Sequence, residues 1–128
     1  MQYLLMIYRN EAEIGNMDAA ARQKVTAEYG AFTQSIIQSG HFKAGDGLQP
    51  TSTATTVRVR DGKTLTTDGP FAEAKEFLAG YWIVEVESAE RAYQIAARAS
   101  AAPGAGGVPL NMPIEVRQVM SAPPQEFL

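Results

Sequence analysis

The spacing of apolar residues changes several times along the chain, and each spacing predicts an element. Tyr3-Leu4-Leu5-Met6-Ile7-Tyr8 is an unbroken apolar run stopped by Arg9-Asn10. A run this short, apolar at both parities, suits a central strand buried on both faces better than a helix. From Asp18 the spacing becomes three and four. Ala21, Val25, Tyr29, Phe32 and Ile36 form one stripe, with Arg22, Lys24, Glu28 and Gln34 between them, which is the pattern of an amphipathic helix. Asp18 supplies a carboxylate for a first-turn amide, and Gly40 can end the helix in the left-handed conformation.

His41 to Leu48, interrupted by Gly45-Asp46-Gly47, leaves an edge strand and an ordered loop both open. Thr55-Thr56-Val57-Arg58-Val59-Arg60 then alternates with period two. Asp61-Gly62 offers the two positive-φ positions of a type I′ turn before Lys63-Thr64-Leu65-Thr66-Thr67, which predicts a hairpin. Its threonine-rich face suits a sheet periphery, whereas Gly80-Tyr81-Trp82-Ile83-Val84-Glu85-Val86 has the density of a second central strand. Ser88 caps a second helix whose buried stripe is Ala92, Ile95, Ala96 and Ala99. Ala101 to Pro109 is an alanine-, glycine- and proline-rich connection, and Ile114 to Met120 makes the last strand.

The order strand, helix, strands, strand, helix, strand is the split β-α-β pattern of a ferredoxin-like α+β fold with an added hairpin and an antiparallel sheet. Two helices cover one face of such a sheet. Both central runs are apolar at both parities, so the other face needs its own cover, and a second copy packed face to face supplies it. A homodimer is therefore expected.

Length and composition narrow the chemistry. The 128 residues make one domain, residues 1–120, followed by a tail, 121–128, whose Pro123-Pro124 cannot continue a central strand. Cysteine is absent and His41 is the sole histidine, which excludes disulfide scaffolds, thiolate nucleophiles, Fe–S clusters and two-histidine metal sites. A net charge of −3 argues against nucleic acid and anionic membrane as partners. The first residues lack a basic region, and Tyr3 to Tyr8 is too brief for a signal peptide or a membrane span, so a cytoplasmic protein is expected.

Charged side chains concentrate in Asp68-Gly69-Pro70-Phe71-Ala72-Glu73-Ala74-Lys75-Glu76-Phe77. Asp-Gly-Pro makes a rigid corner that aims the Asp68 carboxylate. The structural use of the same residues is a turn leading into a helical turn, with Pro70 at its first position and Phe71 plugging the core.

These residues also carry a family resemblance. Asp68-Gly69-Pro70-Phe71, then Glu73, Lys75 and Gly80-Tyr81, resemble the signature of the DGPF group within the YCII-related domain family. Tyr3 to Tyr8, Gly45-Asp46-Gly47-Leu48-Gln49-Pro50, Val57-Arg58-Val59-Arg60-Asp61-Gly62 and Ile114-Glu115-Val116-Arg117 extend the match from Met1 to about Met120. The resemblance implies a dimeric α/β barrel of ferredoxin-like subunits. It also implies an indirect link to a sigma factor, because genes of this group resemble partners of extracytoplasmic-function sigma factors. Some members of the broader family carry a His and Asp pair as a catalytic dyad. Here the first helix reads Glu28-Tyr29-Gly30-Ala31-Phe32, and Arg98 to Ala102 offers no aspartate, so the dyad is not carried over.

Two classes of function follow. One is a binding or sensory module that holds an unknown small molecule or a partner protein and does no chemistry. The other is a small cofactor-free enzyme of isomerase, lyase or monooxygenase type, with Asp68 as general acid or base and Lys75 or Arg117 stabilising developing negative charge. Candidate ligand-binding positions are Phe71, Glu73, Lys75, Tyr81 and Arg117. Asp46, Asp68, Glu73 and Glu76 lack the spacing of an EF-hand loop, so no metal site is expected, and no cofactor. Gly104-Ala105-Gly106-Gly107 follows a helix and precedes a strand, the reverse of a dinucleotide loop, and is a linker. His41 has no orienting carboxylate nearby in sequence. Tyr3, Tyr8, Tyr81 and Trp82 are large rings that could line an aromatic-friendly pocket, although their place in central strands suits the dimer core better. Arg58, Arg60 and Lys63 cluster on the hairpin, where they could contact an acidic partner but more often form a solvated edge that resists strand addition.

Overall fold

Side-chain alternation along the central strands divides the molecule into two faces. Tyr3, Leu5 and Ile7 of β1 (Gln2–Asn10) and Trp82, Val84 and Val86 in or just after β5 (Glu76–Glu85) are buried together in one apolar cluster. The intervening Leu4, Met6 and Ile83 point the opposite way. The register explains the match: Tyr3 stands opposite Val84, and Leu5 opposite Trp82, in an antiparallel ladder. These relations are drawn from a computed structural model that describes residues 1–71, 74–102 and 111–120.

The elements run β1, α1 (Glu11–Gly15), α2 (Ala19–Gln38), β2 (Phe42–Gly47), a short 3₁₀ turn (Thr51–Thr53), β3 (Thr55–Arg60), β4 (Lys63–Asp68), β5, α3 (Ala89–Ser100) and β6 (Ile114–Gln118). The main sheet is antiparallel in the order β2-β5-β1-β6, and β3 and β4 pair only with each other. This is the ferredoxin-like α+β arrangement, with the β3–β4 hairpin inserted between β2 and β5. The stretch from His41 to Leu48 thus resolves as an edge strand. No helix among the described residues is long and apolar enough to cross a membrane.

Local signals act where the residues predict. Asp18 accepts from the Ala21 amide at 2.7 Å and Ser88 from the Arg91 amide at 3.2 Å, each meeting one of the unpaired donors of a first turn. Asp61 and Gly62 adopt φ of 53° and 75°, as a type I′ turn requires. One helix was not foreseen. Asn10, expected only to end β1, accepts from the amides of Ala12 and Glu13 and so caps α1.

Both long helices lie on the face of Tyr3, Leu5 and Ile7, but they meet it differently. Ala92, Ile95, Ala96 and Ala99 of α3 are all buried, and three small side chains let that helix lie close. From α2 only Val25, Phe32 and Ile36 are buried. Between them along the same side stand Thr26, Tyr29, Gly30 and Thr33, at the i, i+3, i+4, i+7 spacing of one stripe. Threonine and glycine there are too small or too polar to fill the space above β2 and β5.

Candidate functional site

The space left by α2 is a cleft of about 790 Å³, within the size range of ligand sites. Its floor is the end of the sheet where β1, β2 and β5 run together, its roof the stretch of α2 from Arg22 to Thr33, and its wall α1 and the chain from Gly47 to Pro50. The floor owes its shape to glycine. Gly45 sits so close to its neighbours that an added Cβ would come within 2.9 Å of the Tyr81 carbonyl and 3.0 Å of Trp82 Cδ1. A larger residue would push the edge strand off the tryptophan.

Aromatic rings line the inner part. Trp82 meets Phe32 edge to face at 5.1 Å between centroids, and the Tyr29 ring lies tilted 6.1 Å from Trp82. Trp82 Nε1 donates to Thr33 Oγ1 at 3.0 Å, and Thr33 Oγ1 donates to the Tyr29 carbonyl at 2.8 Å, so the indole is held by a two-bond relay to the helix. The Tyr29 hydroxyl is buried yet has no hydrogen-bond partner among the described residues. Such an orphan is uncommon in a native interior. The Arg9 guanidinium lies over the Tyr29 ring, 4.8 Å from its centroid.

The two carboxylates of the cleft are engaged. Glu11 accepts from the Thr51 hydroxyl at 2.6 Å and the Thr51 amide at 2.8 Å, which pins the 3₁₀ turn to α1. Those bonds, the hydroxyl's first, hold the Glu11 carboxyl below the usual carboxylate range. Asp46 accepts from the Tyr81 hydroxyl at 3.2 Å. The hydrogen bond and the negative charge of Asp46 raise the Tyr81 phenol above its ordinary value. Arg9 and exposed Arg22 border the same cleft, and neither guanidinium makes a salt bridge or a side-chain hydrogen bond to another described residue.

The residues singled out in the sequence are dispersed. Tyr81 borders the cleft. Asp68 ends β4 on the exposed hairpin, opposite Thr55, outside the cleft lining. Its corner is tied back to the start of β3, the Gly69 amide donating to the Ala54 carbonyl at 2.8 Å and the Thr56 hydroxyl to the Gly69 carbonyl at 2.8 Å. Phe71 does not plug the core. It is 76% exposed, with the Arg58 guanidinium 5.3 Å from its ring centroid. The physical reason is that β3 and β4 form a sheet with no covering layer among the described residues, so the chain leaving β4 has no such interior to enter. Lys75 is exposed just before β5. Arg117 stands opposite Leu4 on β6, on the sheet face away from the helices. Glu73, with the loop and tail positions 103–110 and 121–128, lies outside the described residues. His41 follows Gly40, whose φ of 81° ends α2, and its Nδ1 is 2.7 Å from Ser39 Oγ.

Sequence reasoning missed Arg9, Glu11, Gly30 and Thr33 as cleft residues. Arg9 was readable: it shares the parity of Tyr3, Leu5 and Ile7, so a guanidinium on the helix-covered face was predictable from alternation alone.

Comparison with known proteins gives a family without an activity. The YCII-related domain matches residues 1–110. Uncharacterized protein R00369 of Rhizobium meliloti (strain 1021) is 29% identical over 96 residues, covering 75% of this chain and 77% of the relative.

Proposed function

The chain belongs to the YCII-related domain family, and from that premise we propose that it binds a small organic molecule in the cleft between α2 and the sheet. The observation that carries the reading is the pairing of apolar, aromatic walls with polar groups left without partners inside them: the buried Tyr29 hydroxyl and the Arg9 guanidinium over its ring. A ligand-sized cleft that encloses a few convergent polar groups is the usual form of a binding site. Asp68 lies on an open hairpin where water screens it, so binding does not call on it in this reading.

Gly30 supplies the test. An added Cβ at this position meets nothing within 4 Å, and Gly30 lies on the stripe of Thr26, Tyr29 and Thr33 that borders the cleft. Gly30→Leu therefore starts its side chain in open space beside the cleft and takes up part of its volume, and replacing a mid-helix glycine stabilises the helix by up to about 1 kcal/mol. In a thermal-shift screen of small organic compounds, those that raise the wild-type melting temperature should leave that of Gly30→Leu unmoved. Equal shifts in both proteins would place binding elsewhere.

The subunit is further proposed to act as a homodimer joined through the sheet face opposite the helices. Leu4 and Ile83 stand directly opposite each other there, both half-buried, with the buried Met6 beside them, an apolar surface on the side away from the two helices. Light scattering at micromolar concentration should give twice the subunit mass. A monomer would refute it.

A further inference from the structure

We infer that the ligand of the cleft is an organic carboxylate with an apolar body, an inference that rests on the binding reading above and names the chemistry of its ligand. Hydrogen-bonding capacity around the cleft is lopsided. Four of its side-chain acceptor atoms are in use: both Glu11 oxygens face Thr51, Asp46 Oδ2 faces Tyr81, and Thr33 Oγ1 accepts from Trp82. Its cationic donors are not. Arg9, Arg22 and the Tyr29 hydroxyl donate to no other described residue. A molecule that satisfies them must bring acceptors.

Geometry narrows the class. Arg9 is half-buried with its guanidinium 4.8 Å from the centroid of the Tyr29 ring, so the ring shields it from water on that side, and its planar fork of donors has no partner among the described residues. A carboxylate matches that fork with two parallel bonds, and charge-assisted bonds of this kind are about twice as strong as neutral ones. The Tyr29 hydroxyl, on the ring beneath Arg9, offers a further donor. Trp82, Ile14, Leu48 and Phe77 then offer an apolar surface for the rest of the molecule. Lost hydration at Arg9 makes the cleft favour an anion over a neutral isostere.

The chain has one tryptophan and it lines the cleft, so indole fluorescence reports occupancy directly. The probes are 4-phenylbutyrate and its neutral counterpart 4-phenylbutyramide, titrated into the wild-type protein and Arg9→Gln. The expected result is that the acid binds at least about tenfold more tightly than the amide in wild type, and that this ratio falls toward one in Arg9→Gln. Equal affinity of acid and amide in wild type would overturn the carboxylate assignment while leaving the cleft as a binding site. A preference for the acid that survives in Arg9→Gln would overturn the role given to Arg9. Failure of both probes to perturb Trp82 at millimolar concentration would overturn the carboxylate assignment and count against the cleft itself.

Discussion

α2 and α3 lie on the same face of the same sheet, and one of them seals it while the other does not. On α3 every residue facing the sheet is buried, because alanine at three of four positions lets the helix approach until Ile95 fills what remains. On α2 the seal is confined to Phe32 and Ile36 near the helix end, with Val25 buried farther back. Thr26, Gly30 and Thr33 leave the rest open, and the side chains that reach into the gap are ones with polar ends. The difference teaches that the binding region arises where core packing is withheld, and that a few small or hydroxylated positions on one helix stripe suffice to withhold it.

The comparison breaks most severely where α2 does seal. Ile36 is fully buried, so Ile36→Ala should cost about 2–5 kcal/mol in chemical denaturation, the range for a large-to-small change with a residual cavity. Val57→Ala on the hairpin, where the side chain is 61% exposed, should stay within about 0.5 kcal/mol. Similar losses at both sites would mean that the hairpin is packed against something that the subunit alone does not provide.

Adding volume sharpens the contrast between the two helices. Ala99 is fully buried under α3, and Ala99→Leu should overpack that side by about 1–3 kcal/mol. Gly30→Leu adds comparable bulk to the corresponding side of α2, and its denaturation midpoint should stay level or rise. A strong destabilisation at Gly30 would show that the cleft is closed in solution.

The smallest expected effect concerns acid. The folded-state pKa of Glu11 is depressed by its bonds from Thr51, so its contribution to stability is present above the unfolded carboxyl value, about 4.3, and is lost as pH falls through the lower folded value. The Thr51 amide resonance should follow that titration, and Glu11→Gln should abolish the shift. Glu87, depressed likewise by its own backbone bond and by Arg91, should titrate in the same window beside the start of α3, so the loss of the Thr51 shift in Glu11→Gln is what assigns that shift to the cleft wall.

Much of the architecture was legible because it rests on local rules. The α3 stripe, the Asp18 and Ser88 caps, the Asp61-Gly62 turn and the two central strands each follow from residue type and period. The cleft was less legible for a physical reason. Tyr29 reads as one more apolar position on a helix, and Gly30 and Thr33 read as breaks in the pattern, because local spacing does not reveal how far a helix stands off its sheet. Arg9 and Asn10 read as the end of a strand, although one lies over Tyr29 and the other caps α1. The Asp68 segment drew attention through its density of charge and turn residues. Density is a property of sequence, whereas enclosure depends on which layers meet, and β3 and β4 meet none among the described residues.

Amide chemical-shift mapping tests the central claim most directly. Compounds that stabilise the protein would be titrated into ¹⁵N-labelled chain, with the Trp82 indole and the Gly30, Gly45, Gly47 and Gly80 amides as reporters that ring the cleft. The account predicts that these resonances move together and saturate with one affinity, while Thr66, Thr67, Asp68 and Gly69 stay in place. Shifts confined to the Asp68 hairpin, with the indole and glycine signals unmoved, would contradict it.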